Sequence, residues 1–240
     1  MTNPSDPEAS AARSAYDAWH HGLDADAEAD APWHLLVRKH LEGISGARVL
    51  EIGCGRGGFA AWLATQGARE IVGADFSAVA VRKAVALARG RGLANVRFAV
   101  ADLCALGCAE GAFDVVISCE TIEHVADPAR GVAELARVLR PGGRLYLTTP
   151  NYLGLMGIYR IYRTLSGRPY TEVGQPINTV TLLPRTCAWV YNAGLRIVVT
   201  DGAGHYLPWP RRQPIEFKRL DRHALRWTAL HSLVVAEKPR

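Results

Sequence analysis

Two carboxylates and an imidazole lie close together in the segment 120–124, which reads Glu-Thr-Ile-Glu-His. If this segment makes a helical turn, positions i, i+3 and i+4 share one face, which brings Glu120, Glu123 and His124 together. An imidazole oriented by a carboxylate can accept a substrate proton, so His124 is a candidate general base with Glu123 as its partner. The alternative is that His124 only packs near the site. His205 is a second candidate base, or a loop histidine without a catalytic role.

A glycine-rich stretch indicates which kind of ligand could meet these side chains. In residues 48–63 an apolar run suited to a buried strand precedes Gly53, Gly55 and Gly58, and apolar residues at helical spacing follow. Glycine tolerates positive φ and leaves the backbone N–H groups around Cys54 bare, and the next helix adds its positive N-terminal end. The turn therefore suits an anionic or zwitterionic group. It also satisfies the dinucleotide fingerprint G-x-G-x-x-G, which is weak evidence alone.

Acidic residues follow the next two predicted strands. The strand at 70–74 ends at Asp75, where a carboxylate can accept hydrogen bonds from both hydroxyls of a ribose. Sites for NAD and for S-adenosylmethionine (SAM) share that contact, so Asp75 alone does not discriminate between them. Phe76 offers an apolar face to an adenine. Asp102 comes just after the strand at 95–100, and its alternative is a loop or cap residue.

The remaining pattern predicts one α/β domain over residues 1–240. Residues 1–12 are polar and contain two prolines, so we expect them to be disordered, and we expect short helices within 13–45. Further strands are predicted at 113–118, 144–149, 195–200 and 230–236. The segment 151–183 loses its periodicity and accumulates Gly, Pro and Tyr, so we expect it to form a lid over the substrate.

The composition is ordinary for a globular protein, with 49% hydrophobic and 21% charged residues. The start of the chain lacks the pattern of a signal peptide, and no apolar stretch of about 18 residues occurs, so we expect a cytoplasmic protein. Five cysteines, an odd number, favour reduced thiols over a disulfide framework. No internal repeat is evident.

The charge argues against nucleic acid as a partner, because a net charge of +5 is mild and no dense basic stripe occurs. The nearest basic cluster is in the C-terminal part of the chain. It contains Arg211, Arg212, Lys218, Arg219, Arg222 and Arg226, interleaved with Trp209, Phe217 and Trp227. This mixture could make a peripheral contact with a membrane or an anionic substrate, or it could be a solvated face.

Three motifs resemble those of the class I methyltransferases that use SAM. Glu51 stands two residues before the first glycine, Gly57 completes a G-x-G-x-G series, and Leu-Arg-Pro-Gly-Gly at 139–143 precedes an apolar strand ending in Thr-Pro. The resemblance implies a Rossmann-like, seven-stranded, mostly parallel sheet with helices on both faces. It also implies SAM as cofactor. Asp102 would then accept a hydrogen bond from the adenine amino group, and the N–H of Leu103 would donate to a ring nitrogen. The predicted cofactor-binding residues are Glu51, Gly53, Cys54, Gly55, Asp75, Phe76, Asp102, Leu103 and Cys119.

From about residue 48 onward the chain is also similar to the O-methyltransferases of ubiquinone biosynthesis and, more distantly, to the small-RNA 3′-end methyltransferases. In those families a Glu-x-x-Glu-His pattern holds a divalent metal, so the resemblance implies Glu120, Glu123 and His124 as ligands of Mg²⁺. One feature departs from the pattern. Those families place a further histidine before the sixth helix, where this chain has Gly-Gln-Pro-Ile-Asn-Thr at 174–179. A metal site and a metal-free base at His124 both remain open.

These expectations converge on the SAM-dependent methylation of a hydroxyl on a small phenolic, catechol-like or lipid-like acceptor. The alternatives within the same chemistry are N-methylation of a small amine or amino sugar and methylation of RNA 3′ ends. The alternatives from other classes are a nicotinamide-dependent oxidoreductase, using the same glycine-rich turn, and a catalytically silent SAM-binding module. The sequence makes no prediction about the oligomeric state.

Overall fold

A central β-sheet organises the structure, a computed structural model that describes residues 7–23, 29–168, 177–207, 215–222 and 224–240. The strands are β1 (Arg48–Ile52), β2 (Glu70–Asp75), β3 (Val96–Val100), β4 (Phe113–Cys119), β5 (Leu139–Pro150), β6 (Arg196–Ala203), β7 (Tyr206–Leu207), β8 (Ile215–Glu216) and β9 (His231–Glu237). Seven of them form one sheet in the order β3-β2-β1-β4-β5-β9-β6, and β7 pairs with β8 in a separate two-stranded ribbon.

The strands β1 to β5 run parallel to one another, and β9 is antiparallel to both of its neighbours. The strand order reverses between β1 and β4. In open α/β sheets, ligands bind outside the carboxyl ends of the strands at such a reversal. The predicted seven-stranded, mostly parallel sheet is therefore confirmed, and its carboxyl edge is where the site is expected.

Helices cover both faces of this sheet. They are α1 (Pro7–His21), α2 (Pro32–His40), α3 (Gly58–Ala64), α4 (Ala78–Gly90), α5 (Pro128–Val138), α6 (Leu155–Leu165) and α7 (Leu183–Asn192). The apolar sides of α5 and α7 pack with one face of the sheet, through residues such as Leu135 and Val190. Those of α2, α3 and α4 pack with the other face, through residues such as Val37 and Phe59. Both clusters are buried, which holds the strand ends in fixed positions.

Two segments differ from the sequence-based expectation. Helix α1 begins at Pro7, so residues 7–12, half of the segment 1–12 that was expected to be disordered, are helical; residues 1–6 lie outside the described part. Proline is tolerated in the first turn of a helix, where its missing N–H costs nothing. Within the expected lid at 151–183, residues Leu155–Leu165 form α6, while 169–176 lie outside the described residues. Among the helices that are described, none combines the length and apolarity needed to cross a bilayer.

Candidate functional site

A cavity of about 950 Å³ opens at the carboxyl edge of the sheet. Its walls include residues from the ends of four strands, namely Glu51, Asp75, Asp102 and Glu120. Every predicted cofactor-binding residue lines this cavity: Glu51, Gly53, Cys54, Gly55, Asp75, Phe76, Asp102, Leu103 and Cys119. The residues chosen from the sequence therefore surround one cavity, and their role in binding a cofactor stays a prediction.

The glycine turn has the backbone that its sequence requires. Gly53, Gly55 and Gly57 have φ values of 75°, 51° and 81°, in the left-handed region that favours glycine. The N–H groups of Gly53 and Cys54 donate to the carbonyl of Ala74, at 2.8 and 3.0 Å. These two N–H groups are therefore bonded to β2 and are not free for a ligand. The acidic side chains on either side of the turn, Glu51 and Asp75, line the cavity.

The substitution Gly57→Ala is expected to destabilise the protein by about 3 kcal/mol, because it combines a left-handed backbone with overpacking. An added Cβ would lie 2.7 Å from the Cβ of Ala84 and 2.9 Å from Cζ of Phe98. Gly90→Ala is the matched control, since Gly90 ends α4 with nothing within 4 Å of the added atom. Urea unfolding compares the two variants. Equal stabilities would refute this account of the turn.

Asp75 is fixed by two backbone donors. Its Oδ2 accepts the N–H of Gly55 at 2.8 Å, and its Oδ1 accepts the N–H of Ser77 at 2.9 Å. Burial raises the pKa of this carboxyl, and the N–H of Ser77 opposes that shift. Each carboxylate oxygen keeps acceptor capacity for one more donor. The arrangement suits two adjacent hydroxyls, as on a ribose.

Glu51 is a buried carboxyl without a compensating charge. Its side chain is 2% exposed, and its Oε2 has no hydrogen-bond partner within the described ranges. Burial, with a further contribution from Asp75, raises its pKa from an ordinary value of 4.5 to about 8. An ammonium group beside it would supply the missing partner. The acidic pair of Glu51 and Asp75 therefore fits the amino and ribose groups of SAM.

Phe76, Asp102 and Leu103, the residues predicted to meet the adenine, all line the cavity. Phe76 packs edge-to-face on Tyr16, with 6.4 Å between ring centroids, and the guanidinium of Arg13 lies 4.6 Å from the Phe76 centroid. Asp102 Oδ1 accepts the N–H of Cys104 at 2.8 Å and caps a short 3₁₀ turn. Asp102 is therefore a capping residue that also lines the cavity.

Two cysteines complete the walls of the cavity. Cys54 and Cys119 are buried, and burial raises the pKa of both thiols well above the ordinary value. Both remain neutral thiols near neutral pH. They therefore act as small apolar surfaces rather than as nucleophiles.

Helix α1 covers the cofactor end of the cavity, where it contributes Tyr16, Trp19 and His20. Asp17 holds it there, because Asp17 Oδ1 accepts the Ser77 hydroxyl at 2.5 Å and the N–H of Val79 at 3.1 Å. Lys83 of α4 also donates to the carbonyl of His20 at 2.7 Å. Asp17 and His20 were not among the residues predicted from the sequence. The available signal was the series Asp17, Trp19, His20 and His21 on one helix.

The Glu120, Glu123 and His124 triplet does not converge as expected. Only Ile122–His124 is helical, as a single 3₁₀ turn, and Glu120 before it has a φ of +45°. The carboxylate of Glu120 faces His231, with 3.2 Å between Oε2 and Nδ1. Within the described ranges, no three His, Cys, Asp or Glu side chains are placed to hold a metal ion. The predicted Mg²⁺ ligand set of Glu120, Glu123 and His124 is therefore corrected, because Glu120 pairs with His231 and the described side chains form no such group.

His124 lines the cavity, but both of its ring nitrogens face the protein. Nδ1 lies 2.7 Å from the carbonyl oxygen of Ile177, so it donates its hydrogen there. Nε2 lies 3.6 Å from Oε1 of Glu123, which is fully buried. In the predicted base the nitrogen opposite the carboxylate would face the substrate, whereas here it binds Ile177. The arrangement does not match that prediction.

His205, the second candidate base, is not among the residues that line the main cavity. Its Nδ1 lies 2.7 Å from Oδ1 of Asp221, and its Nε2 lies 3.0 Å from the carbonyl of Leu225. The residue is buried beside a separate, smaller cavity of about 180 Å³. These contacts connect His205, which lies between β6 and β7, to the 3₁₀ turns at Lys218–Arg222 and Ala224–Thr228.

The fold and the cavity together define a class I methyltransferase that uses SAM. The family model described as a methyltransferase domain matches residues 50–147. A solved S-adenosylmethionine-dependent methyltransferase from Mesorhizobium loti superposes with a TM-score of 0.63, over 87% of this chain and 99% of that one. At 19% identity, that likeness shows the fold alone.

Curated relatives show the family. The ubiquinone biosynthesis O-methyltransferase of Xylella fastidiosa (strain M23) is 33% identical over 211 residues, which are 80% of this chain and 78% of that protein. The chloroplastic tocopherol O-methyltransferase of Arabidopsis thaliana is 40% identical over 103 residues, 42% of this chain and 30% of that protein. The chain belongs to the SAM-dependent methyltransferase family that contains the ubiquinone biosynthesis O-methyltransferases. This membership rules out the nicotinamide-dependent oxidoreductase considered as an alternative.

Proposed function

We propose that the chain transfers the methyl group of SAM to a hydroxyl oxygen of a small phenolic, catechol-like or lipid-like acceptor. The observation that carries this proposal is one cavity whose walls include Glu51 and Asp75 as well as Tyr152 and His231. Its volume of about 950 Å³ is near the upper end of small-molecule sites, roughly 300–1,000 Å³, so there is room for a second molecule beside SAM. The names of the relatives support an oxygen acceptor.

The part of the cavity lined by Glu51, Asp75, Phe76 and Asp102, called here the cofactor end, would hold SAM. Asp75 would accept hydrogen bonds from the ribose hydroxyls, Glu51 would bind the ammonium group, and Phe76 would pack on the adenine. Asp102 would accept a hydrogen bond from the adenine amino group, beside Leu103. When bound, SAM supplies an electrophilic methyl group on a sulfonium, a good leaving group. The remaining work of the chain is to position the acceptor oxygen and to take up its proton.

The acceptor end has apolar walls that suit an aromatic or lipid-like molecule. Trp33, Tyr152, Ile177 and Leu230 line it. We place the lid in the segment 151–183 because its described ends reach the cavity. Ile177 holds Nδ1 of His124, and the N–H of Thr179 donates to the Glu123 carbonyl at 2.8 Å. An acceptor would therefore lie between the 3₁₀ turn at Ile122–His124 and this segment.

Incubation with methyl-labelled SAM and a panel of acceptors tests the proposal. The panel contains catechols, phenols, polyols, amino sugars and short RNA, with and without EDTA, and mass spectrometry locates the label. We expect label on oxygen of a catechol or phenol. We also expect equal rates with and without EDTA, because within the described residues Glu120, Glu123 and His124 are not placed to hold a metal ion together. Label confined to nitrogen or to RNA would contradict the proposed acceptor class.

A further inference from the structure

We propose that His231 is the base of the reaction and that Glu120 positions it, a proposal that rests on methylation of a hydroxyl. The two residues lie 111 positions apart in the sequence, yet His231 Nδ1 is 3.2 Å from Glu120 Oε2. Both line the main cavity at its acceptor end. Their side chains are 11% and 13% exposed, so bulk water competes little for the contact.

The pairing determines which nitrogen of His231 is basic. A carboxylate only accepts hydrogen bonds, so the hydrogen of a neutral His231 resides on Nδ1 and is donated to Glu120. Nε2 then carries the lone pair. Within the described residues Nε2 of His231 has no hydrogen-bond partner, so this nitrogen remains available to a molecule in the cavity.

Both residues are held in place by the sheet. His231 is the first residue of β9, paired with Pro150 of β5 on one side and Ala203 of β6 on the other. Its ring packs against Trp33 and Tyr206, at centroid distances of 5.1 and 6.3 Å. The pair therefore stands on the rigid part of the fold rather than on the lid.

Glu120 is anchored through its backbone. Its N–H donates to the carbonyl of Thr148 at 3.1 Å, and its φ of +45° is uncommon for a residue other than glycine. Strained backbone of this kind persists only where the surroundings enforce it, and it concentrates at functional sites. The carboxylate of this residue contacts His231, the first residue of β9.

The other histidines at the cavity are less suited to act as the base. Both nitrogens of His124 face protein groups. His34 stacks on Phe59 with 4.4 Å between centroids, and burial lowers its pKa to about 4. His20 lies at the cofactor end beside Asp75. Within the described ranges, neither His20 nor His34 has a hydrogen-bonded carboxylate that would fix its tautomer.

The chemical step balances with this pair. The acceptor oxygen forms a bond to the methyl carbon as the bond between that carbon and sulfur breaks. The electron pair of the broken bond stays on sulfur, giving the neutral thioether S-adenosylhomocysteine (SAH). The hydroxyl proton passes to His231 Nε2, and the resulting imidazolium, paired with Glu120, releases it to water after the products leave.

Rates with two catechols test the role of His231. With catechol at about pH 8 and saturating labelled SAM, His231→Gln is expected to lower kcat about 100-fold, the loss typical of a missing general base. With 4-nitrocatechol, which is already ionised at that pH, the loss should shrink to below about fivefold, because no base is needed. Glu120→Gln should lower the rate with catechol about tenfold, and the exposed His21→Gln is the matched control. Equal losses on both catechols would overturn the proposal.

The tautomer of His231 provides a readout that does not depend on activity. In SAH-loaded protein labelled with ¹⁵N-histidine, the signal that disappears in His231→Gln should show a protonated Nδ1 and a bare Nε2. Glu120→Gln should change that pattern. A protonated Nε2 in the unmodified protein would overturn the pair. If SAH binds but neither catechol is methylated, the proposed catechol acceptor fails, and the pair is then judged by its tautomer alone.

Discussion

Asp75→Asn is expected to weaken the binding of SAH about 100-fold. The carboxylate of Asp75 is fixed by the N–H groups of Gly55 and Ser77, and its free acceptor positions face the cavity. Hydrogen bonds to a charged group contribute about 1.5–3 kcal/mol each. The amide removes the charge and one acceptor oxygen, so at least one contact to the ribose and one to the turn are lost together.

Isothermal titration with SAH measures this loss, with Asp114→Asn as the matched control. Asp114 lies at the opposite end of β4, where it accepts the N–H of Arg48 at 2.7 Å and pairs with Arg140. The control should cost stability and leave the affinity for SAH within about twofold of the unmodified protein. Affinity retained by Asp75→Asn would show that the nucleoside does not lie on this carboxylate.

Glu51→Gln is expected to make the ligand-free protein more stable and yet bind SAH less tightly. The folded protein raises the pKa of Glu51 from 4.5 to about 8, so the folded state holds the proton more tightly than the unfolded state. The stabilising effect of that proton is complete below about pH 4.5 and is lost as the pH rises through about 8. Above that pH the ionised carboxylate costs the free protein about 3–5 kcal/mol, which Gln avoids.

Urea unfolding of both proteins at about pH 5 and pH 8.5 measures this effect. The advantage of Glu51→Gln should be small at the lower pH and grow at the higher one. Titration with SAH at pH 8.5 should show the opposite sign, since the ammonium group loses its partner carboxylate. A stability difference that does not change with pH would mean that Glu51 is not the buried, proton-holding group described here.

The residues expected to bind the cofactor could be assigned to one cavity from the sequence, because their signals are local. The glycines that need a left-handed backbone stand next to a short apolar strand, and Asp75 and Asp102 follow strands that are recognisable from their own residues. Parallel strands bring their carboxyl ends to one edge without any knowledge of packing. The residues at such ends can therefore be selected from the sequence alone.

The acceptor end was less predictable because it depends on long-range pairing. His231 meets Glu120 only because β9 inserts antiparallel between β5 and β6, which sequence periodicity does not reveal. The helical spacing of Glu120, Glu123 and His124 was misleading, since the positive φ of Glu120 interrupts the turn. Where the spacing predicted a metal site, the structure has a carboxylate–histidine pair formed by Glu120 and His231.

The start of the chain shows a third kind of difference. Residues 7–12 belong to the segment 1–12 that was expected to be disordered, but they form the start of α1. That helix packs on α4 through Asp17 and Lys83, whose contacts stabilise it from outside. Tertiary contacts of this kind override weak local preferences, and they bring Tyr16 and His20 over the cofactor end.

A crystal structure of the protein with SAH tests the central claim most directly. We predict the ribose hydroxyls on the carboxylate of Asp75, the amino group beside Glu51, and the sulfur directed toward the end of the cavity that holds Glu120 and His231. A nucleoside bound elsewhere, or a sulfur directed away from that pair, would contradict this account.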